Sequence, residues 1–234
     1  MTRASSLFRI AVGKKAVMAV SGLLLFGFVL AHMAGNLKLY QGMYTEGPHA
    51  GQWKIDVYGE GLRELGAPVL GHGQALWIAR IGLLAAVGVH LWAAWTLTLQ
   101  SRAARPVAYQ VTTAVQSTYA SRTMRWGGVI ILLFVLYHLA DLTFGWTNPA
   151  FVAGRVHDNL VASFSRPHIA GLYLAANAAL GFHLFHGLWS LFQSLGWNSP
   201  KLNPWRRRFA TAFAIVVTLG NVSFPIAVLS GFVR

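Results

Sequence analysis

Five long apolar stretches are the main feature of this sequence. They occupy residues at about 14–35, 73–99, 124–145, 167–192 and 209–231. Polar or helix-breaking residues bound them, such as Asn36 after the first stretch and Pro149 after the third. A helix of about twenty apolar residues crosses a hydrocarbon core roughly 30 Å thick, and long runs without alternation favour helices over barrel strands. The pattern predicts an all-α membrane protein, a bundle of five transmembrane helices that contact lipid.

The composition agrees with this pattern and excludes several classes of protein. The 234 residues are 55% hydrophobic and 11% charged, with a mean hydropathy of +0.50, whereas a soluble domain has about 25% charged residues. Cysteine is absent, which excludes disulfides, Cys-bound zinc, iron–sulfur clusters and covalently attached haem. The net charge of +13 does not indicate a nucleic-acid partner, because most basic residues flank the apolar stretches instead of lining a polar face.

Lysine and arginine are distributed unequally over the two sides of the predicted bundle. Twelve lie on the side of the N-terminus: Arg3, Arg9, Lys14, Lys15, Arg102, Arg105, Arg122, Arg125, Lys201, Arg206, Arg207 and Arg208. Six lie on the other side: Lys38, Lys54, Arg63, Arg155, Arg166 and Arg234. The positive-inside bias places the N-terminus in the cytoplasm and the C-terminus outside. The first apolar run is too long for a cleavable signal, so we expect it to remain as the first helix.

The longest outside loop, residues 36–72, differs from the rest of the chain in charge. It carries Glu46, Asp56, Glu60 and Glu64, which are four of the six acidic residues. Because Gly and Pro interrupt it and it contains aromatic residues, we predict that it lies along the membrane interface as a cap over the bundle. The sequence has no internal repeat and no boundary of a second domain, so we predict a single membrane domain over residues 1–234.

Histidines carry the candidate chemistry. Five of the nine fall within predicted spans: His32, His90, His138, His183 and His186. Ionisable residues in lipid are costly and usually face the bundle interior. A single such histidine is often bonded to a neighbouring helix, but four helices that each supply one favour a functional role. The other four are expected to be solvated residues of the outside loops or interface: His49, His72, His157 and His168.

The depth of each histidine follows from the predicted topology and the helical rise of about 1.5 Å per residue. His32 and His138 lie near the outer ends of the first and third helices, whereas His90 and His183 lie in the inner halves of the second and fourth. Two pairs at two depths are what two stacked b-type haems need, with one imidazole on each face of each iron. Such haems have no open coordination site and only transfer electrons. Zinc is disfavoured, because a closed zinc site needs three or four ligands at one depth.

Three segments resemble a known family: Gly13 to Leu37, Tyr137 to Thr143 and Gly181 to Gly196. They are similar to the cytochrome b membrane-anchor subunit of succinate dehydrogenases and fumarate reductases, of the type with one five-helix anchor and two haems. The resemblance extends over nearly the entire chain, and the third segment is the most specific.

The resemblance implies which residues bind haem and which partners the chain has. It pairs His32 with His138 at the outer haem and His90 with His183 at the inner haem, as depth also predicts. It implies a flavoprotein subunit with FAD and an iron–sulfur subunit at the cytoplasmic face, so this chain has no dicarboxylate active site. Electrons would pass through the inner and then the outer haem to a membrane quinone, expected to be menaquinone, or in reverse for fumarate reduction. The expected location is the bacterial cytoplasmic membrane, and the number of complexes per assembly stays open.

Four further residues are candidates for the quinone and haem sites. Glu64 is the first candidate for proton transfer to quinone, because two-haem members of the family have a glutamate near this position; an ordinary solvated acid is the alternative. Asp141 is the only acid within a predicted span, and its alternative role is a structural partner of Arg80 or of a helix end. Arg80 and His186 are candidate contacts of haem propionates, with snorkelling and packing as the respective alternatives.

One position departs from a part of the family. Diheme fumarate reductases that couple proton transfer across the membrane have a glutamate two residues before the ligand on helix four, where this sequence has Gly181. We therefore favour succinate oxidation without that proton path. Two alternatives remain: the cytochrome b anchor of another quinone-linked complex, of the hydrogenase or formate dehydrogenase type, and a structural anchor without haem.

Overall fold

The structure, a computed structural model, describes residues 10–104 and 119–234, and for residues 119–123 it describes the backbone only. In these ranges it contains seven α-helices: α1 (Ala11–Asn36), α2 (Lys54–Arg63), α3 (Gln74–Ala103), α4 (Tyr119–Leu142), α5 (Val156–Phe164), α6 (Pro167–Ser194) and α7 (Asn203–Leu229). A short 3₁₀ helix, Leu37–Gln41, follows α1. Arg3, Arg9 and Arg105, which contribute to the predicted orientation, lie outside the described residues.

Five of these helices, α1, α3, α4, α6 and α7, are long and apolar enough to cross a membrane, which confirms the predicted number of spans. Several bounds differ from the prediction by a few residues, and two of these differences have a clear local cause. Helix α7 begins earlier, at Asn203, because Pro204 is favoured in a first turn and the arginines that follow are good helix formers. Helix α4 ends earlier, because Gly145 adopts a φ of 72° and the N–H of Trp146 bonds to the carbonyl of Ala140 at 2.7 Å.

Helix α6 lies at the centre of the bundle, where it packs against α1, α4 and α7, while α3 packs along α1. Small residues make the closest of these approaches possible. A β carbon at Gly220 of α7 would lie 2.6 Å from the Sδ of Met33, and one at Gly181 of α6 would overlap the hydroxyl of Thr218. A residue with a β carbon at position 181 would therefore require the Thr218 side chain to rotate away.

The loop over residues 36–72, which we predict to lie outside, forms a folded cap. Leu39 of the 3₁₀ helix, Ile55 of α2 and Leu160 of α5 are buried together with the ends of α6 and α7 in the largest apolar cluster. The helices α2 and α5 are absent from the sequence prediction because each is about ten residues long and gains most of its stability from tertiary contacts. We call the covered end of the bundle the cap end. The opposite end, where α1 begins, is the basic end, and its described basic residues are Lys14, Lys15, Arg102, Arg125, Lys201, Arg206, Arg207 and Arg208.

The expectation that His157 is a solvated loop residue is wrong. Its ring is 2% exposed and stacks on Trp53 with a centroid distance of 3.5 Å and an angle of 9°. Its backbone N–H donates to the carboxylate of Asp56 at 2.8 Å, so an acid of α2 satisfies the free N-terminus of α5. The expectation failed because the polar sequence around His157 gives no sign of the partner surface that buries it.

Candidate functional site

The structure brings four of the intramembrane histidines together as two pairs. His32 of α1 and His138 of α4 have ring centroids 5.9 Å apart, with an angle of 84° between the ring planes. His90 of α3 and His183 of α6 have ring centroids 6.4 Å apart, with an angle of 63°. The first pair lies near the cap end and the second nearer the basic end. We call them the outer pair and the inner pair, as in the depth analysis.

The spacing of the rings suits one metal ion between two imidazoles. Two metal–nitrogen bonds of about 2 Å in line place the ring centres about 6 Å apart, close to both observed distances. Within the described ranges, no group of three or more His, Cys, Asp or Glu side chains could hold a metal ion. The donor set therefore fits a haem iron, whose other four ligands come from the porphyrin, better than zinc, which takes its ligands from the protein.

Ser21 determines the tautomer of His90 in the inner pair. The Ser21 hydroxyl lies 2.8 Å from the carbonyl oxygen of Val17 and 3.2 Å from the Nδ1 of His90. A carbonyl oxygen only accepts and a hydroxyl has one hydrogen, so Ser21 donates to Val17 and accepts from the Nδ1–H of His90. The Nε2 of His90 then has a free lone pair, as a metal ligand requires.

Glycines of two neighbouring helices lie against the rings of the inner pair. A β carbon at Gly22 of α1 would lie 3.3 Å from the Cε1 of His90, and one at Gly128 of α4 would lie 3.8 Å from the Cε1 of His183. The Nδ1 of His183 is buried without a hydrogen-bond partner among the described residues. Buried polar atoms are rarely left unpaired, so this atom is an exception within the described residues.

In the outer pair, Tyr173 of α6 has the role that Ser21 has in the inner pair. Its hydroxyl lies 3.3 Å from the Nδ1 of His138 and 3.1 Å from the Oδ2 of Asp141. A carboxylate only accepts, so Tyr173 donates to Asp141 and accepts from the Nδ1–H of His138. His32 differs, because its Nε2 lies 3.3 Å from the amide nitrogen of Asn36. Ligation through that Nε2 requires the Asn36 side chain to turn away.

Asp141 is fully buried in a polar cluster at the cap end. The Nη2 of Arg166 lies 2.8 Å from its Oδ1, and the hydroxyls of Ser163 and Thr147 donate to the same carboxylate. Its partner is therefore Arg166, next to the start of α6, and not Arg80 as one alternative proposed. Sequence reasoning missed Ser163 and Arg166, because both lie in or next to α5, which has no sequence signature.

The structure places the remaining candidates apart from this cluster. The Arg80 guanidinium lies over the ring of Trp77 at 5.0 Å, and His186 is half-buried one turn along α6 from His183. Glu64 ends α2 with an exposed side chain. A second cap acid, Glu60, is engaged instead, because His72 donates to it at 2.7 Å and this hydrogen bond lowers the pKa of the Glu60 carboxyl.

Comparison with known proteins gives one match. The family model described as succinate dehydrogenase/fumarate reductase transmembrane subunit matches residues 99–222, just over half of the chain. The matched segment contains His138, Asp141, Tyr173 and His183. No curated protein and no solved structure matches this chain.

Proposed function

Because the chain belongs to the family of succinate dehydrogenase/fumarate reductase transmembrane subunits, we propose that it is a cytochrome b anchor that holds two b-type haems. One haem would lie between His32 and His138. The other would lie between His90 and His183. The observation that carries the proposal is the spacing of both imidazole pairs, 5.9 and 6.4 Å, which suits one iron atom in each pair.

The bound haems would supply one-electron transfer without bond chemistry, because two axial histidines leave no coordination site for substrate. The residues of this chain contribute position and environment. Ser21 and Tyr173 hold their histidines with the Nε2 atoms free, which fixes the axial ligands before haem binds. His90, His138 and His183 are half-buried between apolar helices, whereas His32 is exposed on the surface of the bundle.

The orientation of the chain gives the electron path a direction. The positive-inside bias assigns the basic end to the cytoplasm, which is where the iron–sulfur subunit would dock. The inner pair lies nearer that end, so electrons from succinate would reach it first, pass to the outer pair and reduce a quinone near the cap end. This path corresponds to a multi-pass subunit of the bacterial cytoplasmic membrane, with FAD and iron–sulfur clusters only in the partner subunits and menaquinone as the expected acceptor.

The proton donor for quinone reduction is proposed to be Glu64. It is the better candidate of the two acids, because Asp141 is already bonded to Arg166 and three hydroxyl groups. A quinone takes up protons as it is reduced, and an exposed carboxylate at the cap can exchange them with the outside.

Glu64→Gln is expected to reduce succinate:quinone turnover by about 10²-fold or more, the usual loss for a general acid. Haem content and succinate oxidation with a soluble dye as acceptor should stay unchanged. Glu46→Gln, which changes another exposed acid of the cap, serves as the control. Wild-type quinone turnover in Glu64→Gln would exclude this role.

The haem content of the purified complex tests the proposed function as a whole. We expect two protohaems for each copy of this chain, measured as the pyridine haemochrome, and α-band absorption in the reduced-minus-oxidised spectrum. A flavoprotein and an iron–sulfur subunit should co-purify. Absence of haem would favour a structural anchor, and haem without a flavoprotein would favour the anchor of another quinone-linked complex.

A further inference from the structure

The two histidine pairs differ in what supports them. Behind His90, the hydrogen bonds are short-range and neutral, since they pass through Ser21 and end on the backbone carbonyls of Val17 and Met18. Behind His138, the chain passes through Tyr173 and ends on the carboxylate of Asp141. One pair is therefore backed by neutral amide groups and the other by a carboxylate that is itself paired with Arg166.

The side chains that form the hydrogen bonds behind His138 are buried. The exposed fractions are 4% for Tyr173 and zero for both Asp141 and Ser163. Arg166 binds the other carboxylate oxygen at 2.8 Å and its side chain is 25% exposed, so the cluster reaches the cap surface through this cation and through the exposed Thr147, whose hydroxyl donates to the same oxygen. In such a low-dielectric setting, consecutive hydrogen bonds polarise one another.

We propose that Tyr173 and Asp141 are positioning residues that tune the outer haem through His138. The proposal rests on the proposed function, because it requires a haem between His32 and His138. Tyr173 accepts from the Nδ1–H of His138 and donates to Asp141, which draws the imidazole proton away from the ring. The Nε2 becomes a stronger electron donor, which stabilises ferric iron and lowers the reduction potential of this haem.

The same hydrogen bonds also keep the ring of His138 in place. Tyr173 belongs to α6 and His138 to α4, so their hydrogen bond links the rotation of the imidazole to the packing of two neighbouring helices. Within α6, the side-chain amide of Asn177 donates to the backbone carbonyl of Tyr173 at 2.9 Å. Tyr173→Phe removes only this hydroxyl. It should therefore change how strongly the His138 imidazole donates electrons, with little change in the volume of the site.

The test is a spectroscopic redox titration of the purified complex with Tyr173→Phe. We expect the outer haem to become easier to reduce, with a fall of about tenfold in its ferric:ferrous ratio at a given potential, equivalent to an upward shift of about 59 mV. The inner haem should keep its potential. The outer haem is identified as the one that remains in His90→Ala.

Tyr137→Phe is the matched control. The ring of Tyr137 lies 6.3 Å from that of Tyr173, and in the described part of the chain its hydroxyl does not bond to His138, so both potentials should be unchanged. Ser21→Ala tests the inner pair in the same way, and it should shift the reduction potential of the inner haem only.

Two outcomes would separate the proposals. An unchanged outer potential in Tyr173→Phe with both haems bound would overturn the role of Tyr173 and leave the proposed function intact, whereas a wild-type complex without haem would overturn the proposed function. If Tyr173→Phe does not retain the outer haem, the titration is done with Asp141→Asn instead. This variant keeps the phenol and should give a smaller upward shift, and no shift would overturn the proposal.

Discussion

His90→Ala is expected to lower the haem content of the complex from two to one. The alanine variant removes one of the two proposed ligands of the inner haem and leaves His183 without its partner ring at 6.4 Å. Because a site built for two imidazoles loses affinity when one is removed, and because the proposed electron path begins at the inner pair, we also expect quinone reduction to fall by about 10²-fold or more. The measurements are the pyridine haemochrome and succinate:quinone turnover of the purified complex.

His49→Ala is the control for this result. His49 is an exposed histidine of the cap that bonds only to Gln52 among the described residues, at 3.3 Å. It should retain two haems and full turnover. Two haems in His90→Ala would show that the inner pair does not ligate iron. Other residues would then hold that haem, and the proposed electron path through the inner pair would be excluded.

Asp141→Ala is expected to destabilise the cap end by about 3–5 kcal/mol, the usual cost of removing one partner of a buried ion pair. The change leaves the partly buried Arg166 cation without its carboxylate at 2.8 Å and removes the acceptor of Ser163 and Tyr173. Denaturant unfolding in detergent micelles measures the free energy of unfolding. A lower melting temperature of the purified complex should accompany the change.

Asp158→Ala is the matched control, because it removes another acid of the same cap. Its ion pair with Arg155 spans 3.3 Å between side chains that are 65% and 41% exposed, and its other oxygen lies 3.1 Å from the Nδ1 of the buried His157. An exposed pair contributes about 1 kcal/mol or less and one hydrogen bond about 1 kcal/mol, so this variant should lose clearly less stability than Asp141→Ala. An equal decrease in the free energy of unfolding in the two variants would show that the buried Asp141 stabilises the protein no more than an exposed acid does.

The sequence predicted the spans well, because hydropathy over about twenty residues is a local property that does not depend on neighbouring helices. The exceptions are informative. The start of α7 was placed late because Arg206, Arg207 and Arg208 end the apolar run without ending the helix. The cap helices α2 and α5 were missed because the surfaces that bury Ile55, His157 and Leu160 come from distant parts of the chain.

The candidate site was predicted only in part, for a related reason. The depths of His32, His90, His138 and His183 follow from counting residues along helices. Their hydrogen-bond partners do not, since Tyr173 lies far along the chain from His138 and its sequence context is an ordinary apolar helix. Arg166 and Ser163 likewise reach Asp141 only because the turn from α5 to α6 folds back over the end of α4.

The amino-acid sequence by itself determined five spans, their basic and acidic flanks and the level of each intramembrane histidine. These properties depend on composition and on a constant helical rise. Only the tertiary structure decided which nitrogen of His90 and of His138 is free and that Arg166 neutralises Asp141. Those outcomes depend on the rotation of each helix about its own axis, which side-chain contacts between segments distant in sequence determine.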